Sequence, residues 1–238
     1  MSARCSEVLE ETRRLLLRRV GGLPRGNGGA PGLLDVGCWD GEMTERYARL
    51  LGARPHGVEV FAEQAARARQ RGIDVAVLDL ESQPFPWATG SMDVVIANQV
   101  LEHLKNVWLP MSEMFRVTRV GGRMIVAVPN LASLHNRLLF ALGRQPTAIR
   151  TFGPHVRGFT FHEFRRFVSH GGGLEIEHAE GVGLYPLPAS WGRVPVRVWP
   201  DAGVITVIVA RKVRDMEPPW LAWVRGELAQ GIQTFYEA

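Results

Sequence analysis

Between residues 33 and 128, five short apolar runs alternate with longer segments of mixed polarity, and that alternation admits few architectures. Leu33–Val36, Pro55–Val60, Asp74–Leu78, Met92–Ala97 and Gly122–Val128 read as strands. Glu42–Leu51, Ala62–Arg71 and Trp108–Val117 have helix length and lie between them. Short strands without polar alternation are buried on both faces, and helix-length crossovers join parallel neighbours. The pattern therefore predicts a doubly wound, Rossmann-like α/β fold with a mostly parallel sheet.

The flanks divide the chain further. Cys5, Leu9, Leu16 and Val20 form a helical stripe closed by Gly21-Gly22, so residues 1–31 read as an N-terminal helix and linker. The main domain spans 32–213, with 129–160 as an insertion on the substrate side. In that insertion Leu131–Leu142 has helical spacing and Gln145–Thr160 reads as a loop. His162–His170 is a further helix. Leu174–His178 and Val204–Lys212 are two last strands, separated by a segment rich in Pro and Trp. Pro218-Pro219 suits the first turn of an amphipathic helix over 214–238, with Trp220, Val224, Leu228 and Ile232 along one face.

Composition removes several classes. With 46% hydrophobic residues among 238, the chain can build a full core and is not a disordered or coiled-coil sequence. Its apolar runs, such as Val204–Ala210, fall far short of the ~18 residues a spanning helix needs. The start carries Glu7, Glu10 and Glu11 and no secretory pattern. Two cysteines are too few for a disulfide framework or a zinc cluster, so a cytoplasmic location and no metal site are expected. Residues 129–170 hold six arginines against Glu163 alone, a surface suited to an anionic or hydroxyl-rich ligand.

The chemistry concentrates at the strand ends, where open parallel sheets bind ligands. Leu33-Leu34-Asp35-Val36 runs into Gly37-Cys38-Trp39-Asp40-Gly41 and then a helix. Trp39 breaks the G-x-G-x-x-G spacing that admits a pyrophosphate. Asp35 would repel phosphates and suits a ligand carrying an ammonium group. Glu59 ends the second strand, where a carboxylate can accept both ribose hydroxyls. Asp79 ends the third, within reach of an adenine amino group. Asn98 ends the fourth, at the head of Asn98-Gln99-Val100-Leu101-Glu102-His103.

The Asp35–Cys38 and Leu101–His103 motifs resemble those of class I S-adenosylmethionine-dependent methyltransferases, in the broad type 11 and MetW-like group. The likeness is strong over Leu33–Val128 and weaker over Phe159–Lys212. It implies a seven-strand sheet whose last strand is antiparallel to the rest, with S-adenosylmethionine as cofactor. By resemblance, Asp35, Gly37, Cys38, Trp39 and Gly41 line the methionine end. Glu59 and Val60 hold the ribose, Asp79 and Leu80 the adenine, and Asn98 the sulfonium end. The family's usual middle glycine is Trp39 here.

Such a cofactor carries the reactive methyl, and the protein supplies position and field. An oxygen or nitrogen of a small molecule is the expected acceptor. A general base is expected among His135 and His155, then His103 and His162, because these follow strands four and five. Arg137, Arg144 and Arg157, with Arg150, would bind an anionic acceptor. Nucleic acid is disfavoured: Asn98-Gln99-Val100 replaces the Pro-Pro-aromatic run of DNA amino-methyltransferases, and lysines are scarce. Trp220, Trp223, Phe235 and Tyr236 suggest a homodimer through the C-terminal helix. Trp39 and the lack of one assignable base leave a second reading, a non-catalytic accessory protein of this fold that acts through a partner enzyme. A nicotinamide oxidoreductase is disfavoured by the broken fingerprint.

Overall fold

A computed structural model describes residues 3–24, 30–187 and 189–226. A seven-stranded sheet runs through it in the order β3-β2-β1-β4-β5-β7-β6. The strands are β1 (Gly32–Val36), β2 (Arg54–Glu59), β3 (Asp74–Val77), β4 (Met92–Asn98), β5 (Thr118–Pro129), β6 (Leu174–Val182) and β7 (Ile205–Lys212). Pairings among β1 to β5 are parallel, while β7 is antiparallel to both β5 and β6. The expected antiparallel last strand is therefore β7, wedged between β5 and β6.

Successive strand residues face opposite sides, and the buried set splits accordingly. Leu33, Val94, Ile96, Ile125 and Val207 meet Leu15, Leu16 and Val20 of α1 (Ala3–Gly21) and Tyr47 and Leu51 of α2 (Glu42–Leu51). Leu34, Val95, Val126 and Ile208 meet Met111 and Phe115 of α4 (Trp108–Val117) and Phe164 of α6 (Phe161–Val168). Between them in sequence, α3 (Ala62–Gln70) lays Ala65 and Ala68 on Ile73 and Val75. Each such aliphatic side chain contributes about 1.5–3 kcal/mol by leaving water. The N-terminal helix thus shares the core of the main sheet.

Several boundaries differ from expectation. The helix expected from Leu131 starts at Leu134, as α5 (Leu134–Ala141), because the Asn130 side chain accepts from Ala132 N and folds 130–133 into a turn. The Pro- and Trp-rich segment contains α7 (Ala189–Val198), which carries Pro195 internally. After Pro218-Pro219 the described helix is the short α8 (Leu221–Val224), its neighbour Trp220 buried against Phe115 and Phe167. Leu228, Ile232, Phe235 and Tyr236 lie outside the described residues. Among the described residues no helix is long and apolar enough to cross a membrane.

The sheet also buries a cation. Lys212, 1% exposed, donates through Nζ to Phe115 O (3.0 Å) and Thr118 O (2.9 Å) and sits over the Phe115 ring. It holds the junction of α4 and β5.

Candidate active site

The turn after β1 is built by the end of β2. Gly37 N and Cys38 N both donate to Val58 O, at 2.8 and 3.0 Å. Trp39 N donates to Glu59 Oε2 at 2.9 Å, and Phe61 N to Glu59 Oε1 at 3.0 Å. At Gly37 an added Cβ would come within 2.6 Å of Val100, so the turn packs directly on the loop after β4. Gly41, at φ +80°, opens α2, and a Cβ there would overlap Ile73 and Ala68. Trp39 itself is left-handed, at φ +52°, in the place where the resembled family has glycine. The unusual residue thus keeps the backbone shape that glycine usually supplies.

Beneath the turn, Asp35 is buried and accepts the Thr44 hydroxyl at 2.6 Å. Burial pushes its pKa up to about 7; the Thr44 bond opposes the rise and the nearby Glu59 charge adds to it. The Cys38 thiol is also buried, and burial with the charges of Asp35 and Glu59 raises its pKa far above the usual range. A thiol kept protonated is inert as a nucleophile. Asp35, Cys38, Trp39 and Glu59 therefore form one acidic cluster around the turn.

The third strand end behaves differently. Asp79 is exposed and closes its own turn, accepting from Glu81 N (3.0 Å) and the Ser82 hydroxyl (2.8 Å), which together hold its carboxyl below the usual carboxylate range. Leu80 is buried in the core with Leu78 and Phe85. Val60 and Phe61, by contrast, are more than half exposed beside Trp39, whose ring meets Phe61 edge-on at 5.9 Å. That apolar step lies just beyond the ends of β1 and β2.

At the end of β4, Asn98 Oδ1 and Gln99 Nε2 are shielded from solvent and lack hydrogen-bond partners. Gln99 has φ +58°. Buried amide atoms left without partners in a strand-end crevice suit a polar ligand. Glu102 follows in a short 3₁₀ turn (Leu101–His103); it is 1% exposed and both carboxylate oxygens lack a partner in another residue. Burial pushes its pKa up to about 8.

The four histidines separate by their partners. His135 has both nitrogens engaged, Nδ1 with the Ser133 hydroxyl (3.1 Å) and Nε2 with the Thr147 hydroxyl (2.7 Å), and burial lowers its pKa. His162 is exposed, 3.4 Å from Asp201. His155 Nδ1 lies 2.8 Å from Ala148 O, and His103 Nδ1 lies 3.2 Å from Pro154 O. A carbonyl only accepts, so in the neutral form of each ring Nδ1 carries the proton and Nε2 the lone pair. The two rings stand 4.9 Å apart beyond β4.

Of the arginines, Arg137 is engaged in bracing: it donates to Ala132 O (2.6 Å) and the Asp201 carboxylate (2.8 Å) and lies over Trp199. Arg157 lies over Trp108 and donates to Lys105 O. Arg144 and Arg150 are exposed. Asn130 and Asn136 organise the same insertion, Asn136 donating to Asn130 O and accepting from Thr147 N.

Residues 34–126 match a family profile described as a methyltransferase domain. The chain is 31% identical over 204 residues to 27-O-demethylrifamycin SV methyltransferase of Amycolatopsis mediterranei, covering 81% of this chain and 71% of that relative. It is 27% identical over 168 residues to the mitochondrial ubiquinone biosynthesis O-methyltransferase of Rattus norvegicus, covering 67% of this chain and just under half, 48%, of the rat protein. Its fold is similar to that of magnesium protoporphyrin IX methyltransferase from Synechocystis PCC 6803 with bound S-adenosylhomocysteine (TM-score 0.59, 15% identity, 86% of this chain and 84% of that one).

Proposed function

The chain belongs to the S-adenosylmethionine-dependent methyltransferases, and we propose that it methylates an oxygen or nitrogen of a small-molecule acceptor seated beyond β4 and β5. The cofactor supplies an electrophilic methyl group on a sulfonium. The donor set suits it. Glu59 offers a buried carboxylate whose remaining lone pairs can accept ribose hydroxyls, beside the bare backbone of the Gly37 turn. In this reading Asp35, Gly37, Cys38, Trp39 and Gly41 shape the methionine end, Val60 borders the ribose, Asp79 and Leu80 border the adenine, and Asn98 faces the sulfonium.

The observation that carries the acceptor's position is the unpartnered pair Asn98 Oδ1 and Gln99 Nε2 at the tip of β4. An acceptor hydroxyl or amine placed there gains both a donor and an acceptor, and His103, a few residues on, with His155 packed against it, offers a lone pair for its proton. The two named relatives act on an O-demethylated rifamycin and in ubiquinone biosynthesis, which favours a hydroxylated acceptor. Arg144 and Arg150 remain the arginines suited to an anionic group on it, and the aromatic C-terminal segment to a homodimer contact.

Calorimetric titration with S-adenosylmethionine, followed by incubation with hydroxylated small molecules and mass spectrometry, tests this. Cofactor binding lost in Glu59→Ala and a product about 14 Da heavier are expected. No cofactor binding at millimolar concentration would overturn it.

A further inference from the structure

We propose that Glu102, His103 and His155 form a site for a divalent transition-metal ion at the mouth of the acceptor cleft. Their ligating atoms, a carboxylate oxygen of Glu102 and one ring nitrogen of each histidine, all lie within 4.8 Å of one another. Glu102 Oε1 and His103 Nε2 are 3.9 Å apart, too long for a hydrogen bond. Bonds of about 2.0–2.1 Å to an ion would draw such donors in to about 3–3.4 Å, a small adjustment for the exposed His103 ring beside the half-buried His155.

Three features point to an ion rather than to packing. First, Ala148 O and Pro154 O each take an Nδ1–H, which fixes both tautomers with Nε2 as the free lone pair. A carbonyl that accepts from the far ring nitrogen is a usual partner of metal-bound histidine. Secondly, Glu102 is shut away from water with neither oxygen partnered by another residue, and its one ionic neighbour among the described residues is His103. Both carboxyl oxygens are therefore open to a cation, which would take the place of the proton that burial favours. Thirdly, the backbone builds the site from two distant segments: Val156 N and Arg157 N donate to Glu102 O at 2.9 and 3.1 Å, docking the 148–157 loop on the turn that follows β4. Two imidazoles and one carboxylate select first-row ions such as Zn²⁺, Co²⁺, Fe²⁺ or Mn²⁺ over Ca²⁺ or Mg²⁺, and three protein ligands leave coordination positions open. Ion binding stands apart from the methyl-transfer reading, since it needs neither cofactor nor acceptor.

The test uses the full, untagged chain stripped with chelator and titrated with Co²⁺. One equivalent is expected to produce visible ligand-field absorption and a higher unfolding temperature. Glu102→Gln and His155→Ala are each expected to weaken binding about 100-fold or more, whereas His135→Ala leaves it unchanged. Thermal unfolding and cofactor titration establish that each variant is folded, and His103→Asn replaces any that is not. Absence of the absorption in the native chain at submillimolar Co²⁺, or affinity unchanged from the native chain in folded Glu102→Gln and His155→Ala, would overturn the site.

Discussion

Trp39 N donates to Glu59 Oε2 at 2.9 Å, so the turn after β1 is closed by the residue that ends β2. The left-handed backbone at Trp39 costs roughly 1–2 kcal/mol, and a charge-assisted bond of this kind offsets it. Glu59→Ala leaves the N–H groups of Trp39 and Phe61 unpaired and is expected to destabilise the fold by about 2–3 kcal/mol. Trp39→Gly relieves the strained conformation but adds freedom to the unfolded chain, so its effect should stay within about 1 kcal/mol. Urea unfolding of both variants checks the ordering, and a larger loss in Trp39→Gly would contradict it.

Asp35 gives the fold a pH dependence. In the unfolded chain its carboxyl releases a proton near pH 3.9, but in the fold burial delays release to about 7. Between those values the folded state holds the extra proton, so stability falls as pH rises and levels off above 7. Asp35→Asn keeps an acceptor for the Thr44 hydroxyl and removes the burial of charge. It should match the native protein at low pH and exceed it at pH 8, by an amount on the order of 2–4 kcal/mol. Denaturation midpoints across pH 4–8 measure it, and parallel slopes in the two proteins would refute the assignment.

Lys212 is expected to matter far more than its ion-pair partner. Lys212→Met removes the donor from two buried carbonyls, Phe115 O and Thr118 O, and should cost about 2–4 kcal/mol. Asp215, 65% exposed and 3.0 Å from the same Nζ, is a surface partner, and Asp215→Asn should cost no more than about 0.5 kcal/mol. Similar losses in the two variants, read by urea unfolding, would mean that the ion pair rather than the carbonyl cage holds this junction.

What the sequence disclosed follows from range. The Gly37–Gly41 turn, Glu59 and the strand alternation are local or set by a fixed crossover length, and they were legible. Partner choice was not. Arg137, expected to bind an anionic acceptor, instead braces a scaffold in which it binds Asp201 and Asn130 binds Asp201 O and Gly203 O. Those contacts span more than 60 residues, so no spacing announces them. Asp79 and Leu80 sit at a strand end as expected, yet one caps a turn and the other fills the core. Glu102 carries the same lesson in reverse, since its isolation depends on a loop that returns 50 residues later. A search for cysteine-based metal sites passes over it.

His155 and His135 give the sharpest functional contrast. Both follow the fifth strand, and sequence position ranks them together. His135 is satisfied on both nitrogens by Ser133 and Thr147, so His135→Asn should loosen the 129–160 insertion by about 1–2 kcal/mol and change turnover little once folded protein is compared. His155 is tied at Nδ1 by Ala148 O, which leaves its Nε2 lone pair available to an acceptor or an ion. Whether that lone pair takes the acceptor's proton or holds an ion that takes its oxygen, His155→Asn should lower kcat by about 100-fold or more. The cofactor dissociation constant should change less than about threefold, because in the proposed role the lone pair serves the acceptor rather than cofactor binding. Steady-state kinetics beside calorimetric cofactor titration measure both quantities. A fall in cofactor affinity as large as the fall in kcat would make His155 a structural residue, and an equal kcat loss in His135→Asn would move the chemistry to the other side of the insertion.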